Sequence, residues 1–158
     1  MPTGNQKQIQ EFLTLKRWAI IGVSRNPKEF SRVLFNDMRK YGYDVVPINS
    51  KTTEIEGVPC FHSIGEVNPL VDVALLLAAK EDSETIVKEC DQAGIRHIWL
   101  YGIGTDGLVN QSALKYCQEN GIAVIAGYCP YMFLKNSPFF HKMHCWFLKL
   151  SGAYPKAT

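Results

Sequence analysis

The 158-residue sequence predicts an α/β fold: a Rossmann-like open parallel sheet of about five strands, helices on both faces, and a C-terminal aromatic helical tail. Three observations predict it. Short unbroken apolar runs such as Trp18-Ala19-Ile20-Ile21-Gly22-Val23 read as strands buried on both faces. Between them lie stretches with apolar residues at helical spacing. The two signals alternate along the chain, which calls for parallel strands joined by right-handed crossovers.

The elements follow in order. Residues 6–16 place Ile9, Phe12, Leu13 and Lys16 at i, i+3, i+4 and i+7, a short amphipathic helix whose narrow apolar face is Ile9, Phe12 and Leu13. The run at 18–23 is the first strand. Asn26 suits an N-cap, with Pro27 at the first helical position and Glu29 two residues on. Ser31 is a rival cap one turn later. Phe30, Val33, Leu34, Met38 and Tyr41 share a helical face, and Gly42 suits its end. Residues 43–49 form a second strand, although Pro47 costs a ladder hydrogen bond if that strand is central. Residues 57–62 suggest a short edge strand. Residues 71–77 form the clearest buried strand, and 81–93 form a helix with Ile86, Val87, Cys90 and Ala93 inward. A strand at 97–101, a helix near 110–120 and a strand at 122–125 complete the alternation. Residues 1–130 thus form one Rossmann-like domain with its N-terminal helix. Residues 131–158 form an extension, in which Phe140, Met143, Phe147 and Leu150 approach helical spacing. It is expected to pack on the domain or on a partner, including a second copy of the chain.

Composition excludes several classes. Lys plus Arg is 17 against 15 for Asp plus Glu, a net +2, which is too balanced to suggest a nucleic-acid binder. No apolar run approaches a membrane span. The N-terminus MPTGNQKQIQEF has no apolar core for a secretory signal. Cys60, Cys90, Cys117, Cys129 and Cys145 are odd in number, separated and without a CxxC pair, so reduced thiols and a cytoplasmic location are expected.

In an open α/β sheet the ligand crevice lies beyond the carboxyl ends of the strands. Those ends are 22–25, 49–51, 78–80, 101–104 and 126–129. The first leads into a helix N-terminus, where free N–H groups and the dipole favour an anion. Arg25, Lys28 and Arg32 add charge; Ser24 and Ser31 add hydroxyl donors. A phosphate is the natural occupant, with the N–H groups of 23–26 and Arg25 as its donors. The dinucleotide fingerprint GxGxxG is absent, since Gly22 leads into Val23-Ser24-Arg25-Asn26-Pro27. Asp44 stands at the start of the second strand, the wrong edge for holding ribose hydroxyls. Asn49-Ser50-Lys51 ends that strand, and the cation suits a ribose that carries a phosphate. This permits NADP or coenzyme A. No GxxxxGK[ST] loop is present.

Gly22-Val23-Ser24-Arg25-Asn26-Pro27, Ser31-Arg32-Val33-Leu34 and the stretch from Gly42 to Asn49 resemble the CoA-binding domain family. Glu56-Gly57-Val58-Pro59-Cys60, Ser63-Ile64, Val71-Asp72-Val73-Ala74 and Ile98-Trp99-Leu100 add to the likeness, which covers roughly residues 15–130. That family resembles the nucleotide-binding domain of the succinyl-CoA synthetase α subunit and of ADP-forming acyl-CoA synthetases. The resemblance implies that the turn of Gly22, Val23, Ser24 and Arg25 holds the CoA phosphates, and Asn26 and Ser31 are expected beside it as cofactor-binding residues. It places Asn49 and Lys51 by the ribose or adenine, and Ala78, Ala79 and Lys80 beside the nucleotide or pantetheine. Gly102 borders the pantetheine side, in a Tyr101-Gly102-Ile103-Gly104 stretch that departs from the family's commoner glutamine-containing version. Val23 stands where the family often has a smaller residue.

The acyl-CoA synthetases use a phosphorylated histidine and an ATP-grasp module. The surroundings of His62, His97, His141 and His144 do not resemble that histidine segment, so no ligase activity is expected of this chain alone. His141, His144 and Cys145 make only a short cluster, weak for a metal that needs four converging ligands. Cys129 ends the last strand, where a thiolate could exchange with the CoA thiol, although a buried cysteine acts as a small hydrophobe. The expected function is a small CoA- or acyl-CoA-binding protein, non-catalytic on its own. The alternatives are an NADP-dependent oxidoreductase and an interaction module with a vestigial nucleotide pocket.

Overall fold

The computed structural model describes residues 3–78, 80–101, 109–135 and 154–157. Five strands form one parallel sheet: β1 (Arg17–Ile21), β2 (Asp44–Ile48), β5 (Val73–Leu76), β6 (His97–Tyr101) and β7 (Ala123–Tyr128). Their spatial order is β2-β1-β5-β6-β7. Between β2 and β5 lies a small antiparallel hairpin, β3 (Glu54–Ile55) and β4 (Val58–Pro59).

Burial on both faces explains the unbroken apolar runs. Successive side chains on a strand point to opposite faces. Ala19 and Ile21 of β1 face one core with Ala74, Leu76, Ile98 and Leu100. Trp18 and Ile20 face the other with Val73, Leu75 and Trp99. The first core is closed by α3 (Ser83–Gln92) and α4 (Gln111–Glu119), through Val87, Cys90, Ala113 and Cys117. The second is closed by α1 (Gln6–Thr14) and α2 (Phe30–Lys40), through Ile9, Phe12, Leu34, Phe35 and Met38. Trp99 is fully buried, and its indole N–H donates to the Tyr128 carbonyl at 3.0 Å, so the ring brings no unpaired donor into the core.

The position of β2 resolves the difficulty at Pro47. β2 is the outermost strand of the sheet. The Asp44 N–H donates to Lys16 and the Ile48 carbonyl accepts from Gly22, so these alternate residues bond toward β1. Pro47 points the other way, where its carbonyl accepts from Phe61 N–H at 3.1 Å. Its missing N–H therefore costs no bond to β1.

Several local expectations are corrected. Neither Asn26 nor Ser31 caps α2: Glu29 occupies the cap position with no side-chain cap bond. The Asn26 side chain instead accepts from Lys28 N–H at 3.0 Å, and Ser31 Oγ accepts from Ser24 N–H at 2.9 Å. Both side chains bond amides of the turn after β1, and the helix starts at Phe30, between the two expected caps. The expected edge strand at 57–62 is only Val58–Pro59, paired within the hairpin, plus a single parallel bridge from Phe61 to Ile48. A 3₁₀ turn, Lys80–Asp82, precedes α3.

The start of the C-terminal extension joins the second core. Pro130–Met132 form a 3₁₀ turn, and Tyr131, Met132 and Leu134 are buried with α1 and α2. The Tyr131 hydroxyl donates to Asp37 of α2 at 2.6 Å. The end of the chain returns to α1, where Gln6 N–H donates to the Lys156 carbonyl at 3.0 Å. The helix expected around Phe140–Leu150 lies outside the described residues. Among those described, no helix is long and apolar enough to cross a membrane.

Candidate functional site

The chain leaves β1 for β2 on one side of it, then crosses to β5 on the other side. At such a reversal the loops after the two central strands part and leave a crevice. A cleft of about 430 Å³ opens there, a volume within the range of small-molecule sites. One wall is Ile21 and Gly22 after β1, with Ile48 to Lys51 at the end of β2. The opposite wall is Ala78 after β5, with Asp82, Ile86 and Glu89 from α3 and its preceding turn. His62, Ser63 and Ile64 close the end.

Gly22 makes the approach of β1 and β5 possible. Its φ is +97°, and a Cβ there would lie 3.0 Å from the Ala78 nitrogen and 3.1 Å from the Leu77 carbonyl carbon. No other residue fits a positive φ against backbone at that distance without strain. The Gly22 N–H donates to the Ile48 carbonyl at 3.0 Å, which ties the ends of β1 and β2 together.

The turn at 23–26 differs from the expected row of free amides. Val23 N–H donates to the Ile48 carbonyl at 3.2 Å, Ser24 N–H to Ser31 Oγ at 2.9 Å, and Asn26 N–H to Ser24 Oγ at 3.0 Å. Among the described residues only Arg25 of these four shows no partner for its N–H, and its side chain is exposed. The local donors left for an anion change accordingly. Ser24 and Ser31 hydroxyls each accept an amide hydrogen and keep their own proton to donate.

The carbonyls of the turn are held as well. Asn49 Nδ2 donates to the Val23 carbonyl at 2.7 Å. Arg32 Nη1 donates to the carbonyls of Ser24 at 3.0 Å and Arg25 at 3.1 Å. Arg32, counted from the sequence among the charges around the helix N-terminus, is only 8% exposed, and its Nη2 donates to Glu56 Oε1 at 2.8 Å. Glu56 has a φ of +52° in the two-residue turn of the β3–β4 hairpin, where positive φ is required. The Arg32 hydrogen bond and charge hold its carboxyl below the usual carboxylate range.

Lys51 lines the cleft and is exposed, with no ion-pair partner among the described residues. Its N–H donates to Asn49 Oδ1 at 2.8 Å, so Asn49 braces both the Gly22 turn and the Lys51 backbone. Ala78 lines the cleft. Ala79, Gly102 and the Lys80 side chain lie outside the described residues. Asp44 is at the amino end of β2, ion-paired with Arg17 and remote from the cleft edge, as its place in the strand indicated.

Sequence reasoning missed His62, Asp82, Ile86 and Glu89, because no local pattern places a crossover or a helix flank beside β1. Glu56-Gly57 was a usable signal: two turn-compatible residues between short apolar pairs mark a tight hairpin.

Cys129 is buried, and burial pushes its thiol up to about 11 from an ordinary 9.0. It is therefore a neutral core group near pH 8, not a thiolate. Iodoacetamide at that pH is expected to leave Cys129 unmodified in the folded protein and to label it after unfolding, as read by peptide mapping. Equal labelling in both states would contradict this. Among the described residues no group of three His, Cys, Asp or Glu side chains is placed to hold a metal. His141, His144 and Cys145 lie outside them.

A parallel sheet with a cleft at its switch point, a glycine-only turn after one central strand and a cation after its neighbour is the architecture of a ligand-binding α/β domain. The chain belongs to the CoA binding domain family, whose model matches residues 16–135. It is 27% identical over 130 residues to the uncharacterized protein YneT of Bacillus subtilis (strain 168), covering 82% of this chain and 93% of that one. It is 29% identical over 87 residues to the ADP-forming acetate–CoA ligase II subunit alpha of Pyrococcus furiosus, covering 54% of this chain and 19% of that subunit. Among solved structures it is similar to a hypothetical protein from Pyrococcus horikoshii OT3, with a TM-score of 0.73, 25% identity, and coverage of 81% and 90% of the two chains.

Proposed function

We propose that this chain binds coenzyme A or an acyl-CoA and performs no chemistry on it alone. The cleft at the switch point carries the reading: within the family match, Gly22 opens it and Lys51 supplies a cation on its rim. In this reading the diphosphate lies at the Gly22 turn, against the Arg25 N–H and guanidinium and the Ser24 and Ser31 hydroxyls. The ribose and its 3′-phosphate lie by Asn49 and Lys51. Pantetheine leaves past Ala78.

A melting-temperature screen tests the reading, because a ligand bound only by the native state raises stability by about 2.7 kcal/mol at a hundred times its Kd. CoA and acyl-CoAs are expected to raise the midpoint, while NAD, NADP and ATP leave it unchanged. A shift with NADP and none with CoA would favour the oxidoreductase alternative. No shift with any nucleotide would favour an interaction module.

A further inference from the structure

We propose that Arg32 is a positioning residue for the ligand turn: from beneath, it holds the Ser24 and Arg25 carbonyls and locks the turn to the β3–β4 hairpin. This rests on the CoA reading and names a residue that acts without touching the ligand. An anion needs positive ends of dipoles facing it, and an unrestrained carbonyl turned toward it repels it. Three successive carbonyls, those of Val23, Ser24 and Arg25, accept side-chain N–H groups: one from Asn49 and two from Arg32. The same guanidinium reaches Glu56 across the hairpin. A planar fork can serve two carbonyls and a carboxylate at once; an ammonium cannot match that geometry.

The burial of Arg32 is the independent observation. Its Nε is buried with no hydrogen-bond partner among the described residues, while Nη1 and Nη2 make the contacts to the turn and to Glu56. Glu56, the partner that anchors the fork, sits in a backbone conformation glycine favours. Two locally unfavourable features meet in one contact, and that contact restrains the turn.

Arg32→Met, Arg32→Lys and Glu56→Gln test this, with amide hydrogen exchange at 24–26 in ligand-free protein and calorimetry with CoA. All are measured at a temperature where each variant is folded. Arg32→Met is expected to speed exchange of the hydrogen-bonded Ser24 and Asn26 amides at least fivefold and to raise the CoA Kd at least fivefold. Glu56→Gln keeps a hydrogen-bonding group and is expected to change both less than twofold, with Arg32→Lys between. Should Arg32→Met fail to fold, the Arg32→Lys measurements decide, with at least a twofold rise in both expected. Unchanged exchange overturns the inference, and so does faster exchange with unchanged CoA affinity. If the wild-type protein binds no CoA, the functional reading falls, and the exchange data still decide whether Arg32 holds the turn.

Discussion

Replacing Gly22 with alanine is expected to lower the melting temperature by about 5–15 °C. Two costs combine. A non-glycine residue forced to positive φ costs roughly 1–2 kcal/mol. Forcing a methyl group against packed backbone costs about 1–3 kcal/mol more. The neighbours are Ala78 and Leu77 backbone at 3.0 and 3.1 Å, which cannot swing aside as a side chain would. For a domain of this size each kcal/mol moves the midpoint by roughly 2–4 °C. Gly42 is the internal control. Its φ is +90°, yet a Cβ there meets nothing within 4 Å. Gly42→Ala should therefore lose only the backbone share, about 1–2 kcal/mol. Equal losses in the two variants would show that the close approach of β1 and β5 contributes nothing.

The second large effect concerns recognition. Wild-type protein is expected to prefer CoA over dephospho-CoA by about tenfold, and Lys51→Met is expected to abolish that preference. A charge-assisted contact contributes about 1.5–3 kcal/mol, and solvent exposure at the rim reduces it toward the lower figure. Lys51 lines the cleft together with Asp82 and Glu89, so its loss leaves, among the described residues, two carboxylates and the His62 imidazole as the lining side chains that can carry charge. Dephospho-CoA affinity should change less than twofold in the variant. Calorimetry at two salt concentrations completes the test, because screening should narrow the wild-type preference. Equal wild-type affinity for the two ligands would remove Lys51 from its role.

The five strands were legible because each is buried on both faces, and a run such as Val73–Leu76 has no other economical reading. The positions of Gly22, Asn49, Lys51 and Ala78 at strand ends followed from where those apolar runs stop. The hairpin was not legible, since two-residue strands are too short to show a period. The caps of α2 failed for a different reason. Asn26 and Ser31 have the right chemistry for caps, but their side chains accept from the Lys28 and Ser24 amides of the turn after β1 instead.

By itself the sequence determined the five strands of the sheet and the helices α1 to α4 that cover it, and that the glycine and the cation lie at one edge of the sheet. These properties are local, written in side-chain periodicity and turn chemistry. Tertiary structure alone decided the strand order β2-β1-β5-β6-β7, the contribution of Asp82, Ile86 and Glu89 to the cleft lining, and the burial of Arg32 beside the turn after β1. These depend on contacts between segments far apart in the chain, where packing and hydrogen-bond satisfaction choose among partners that no local pattern ranks.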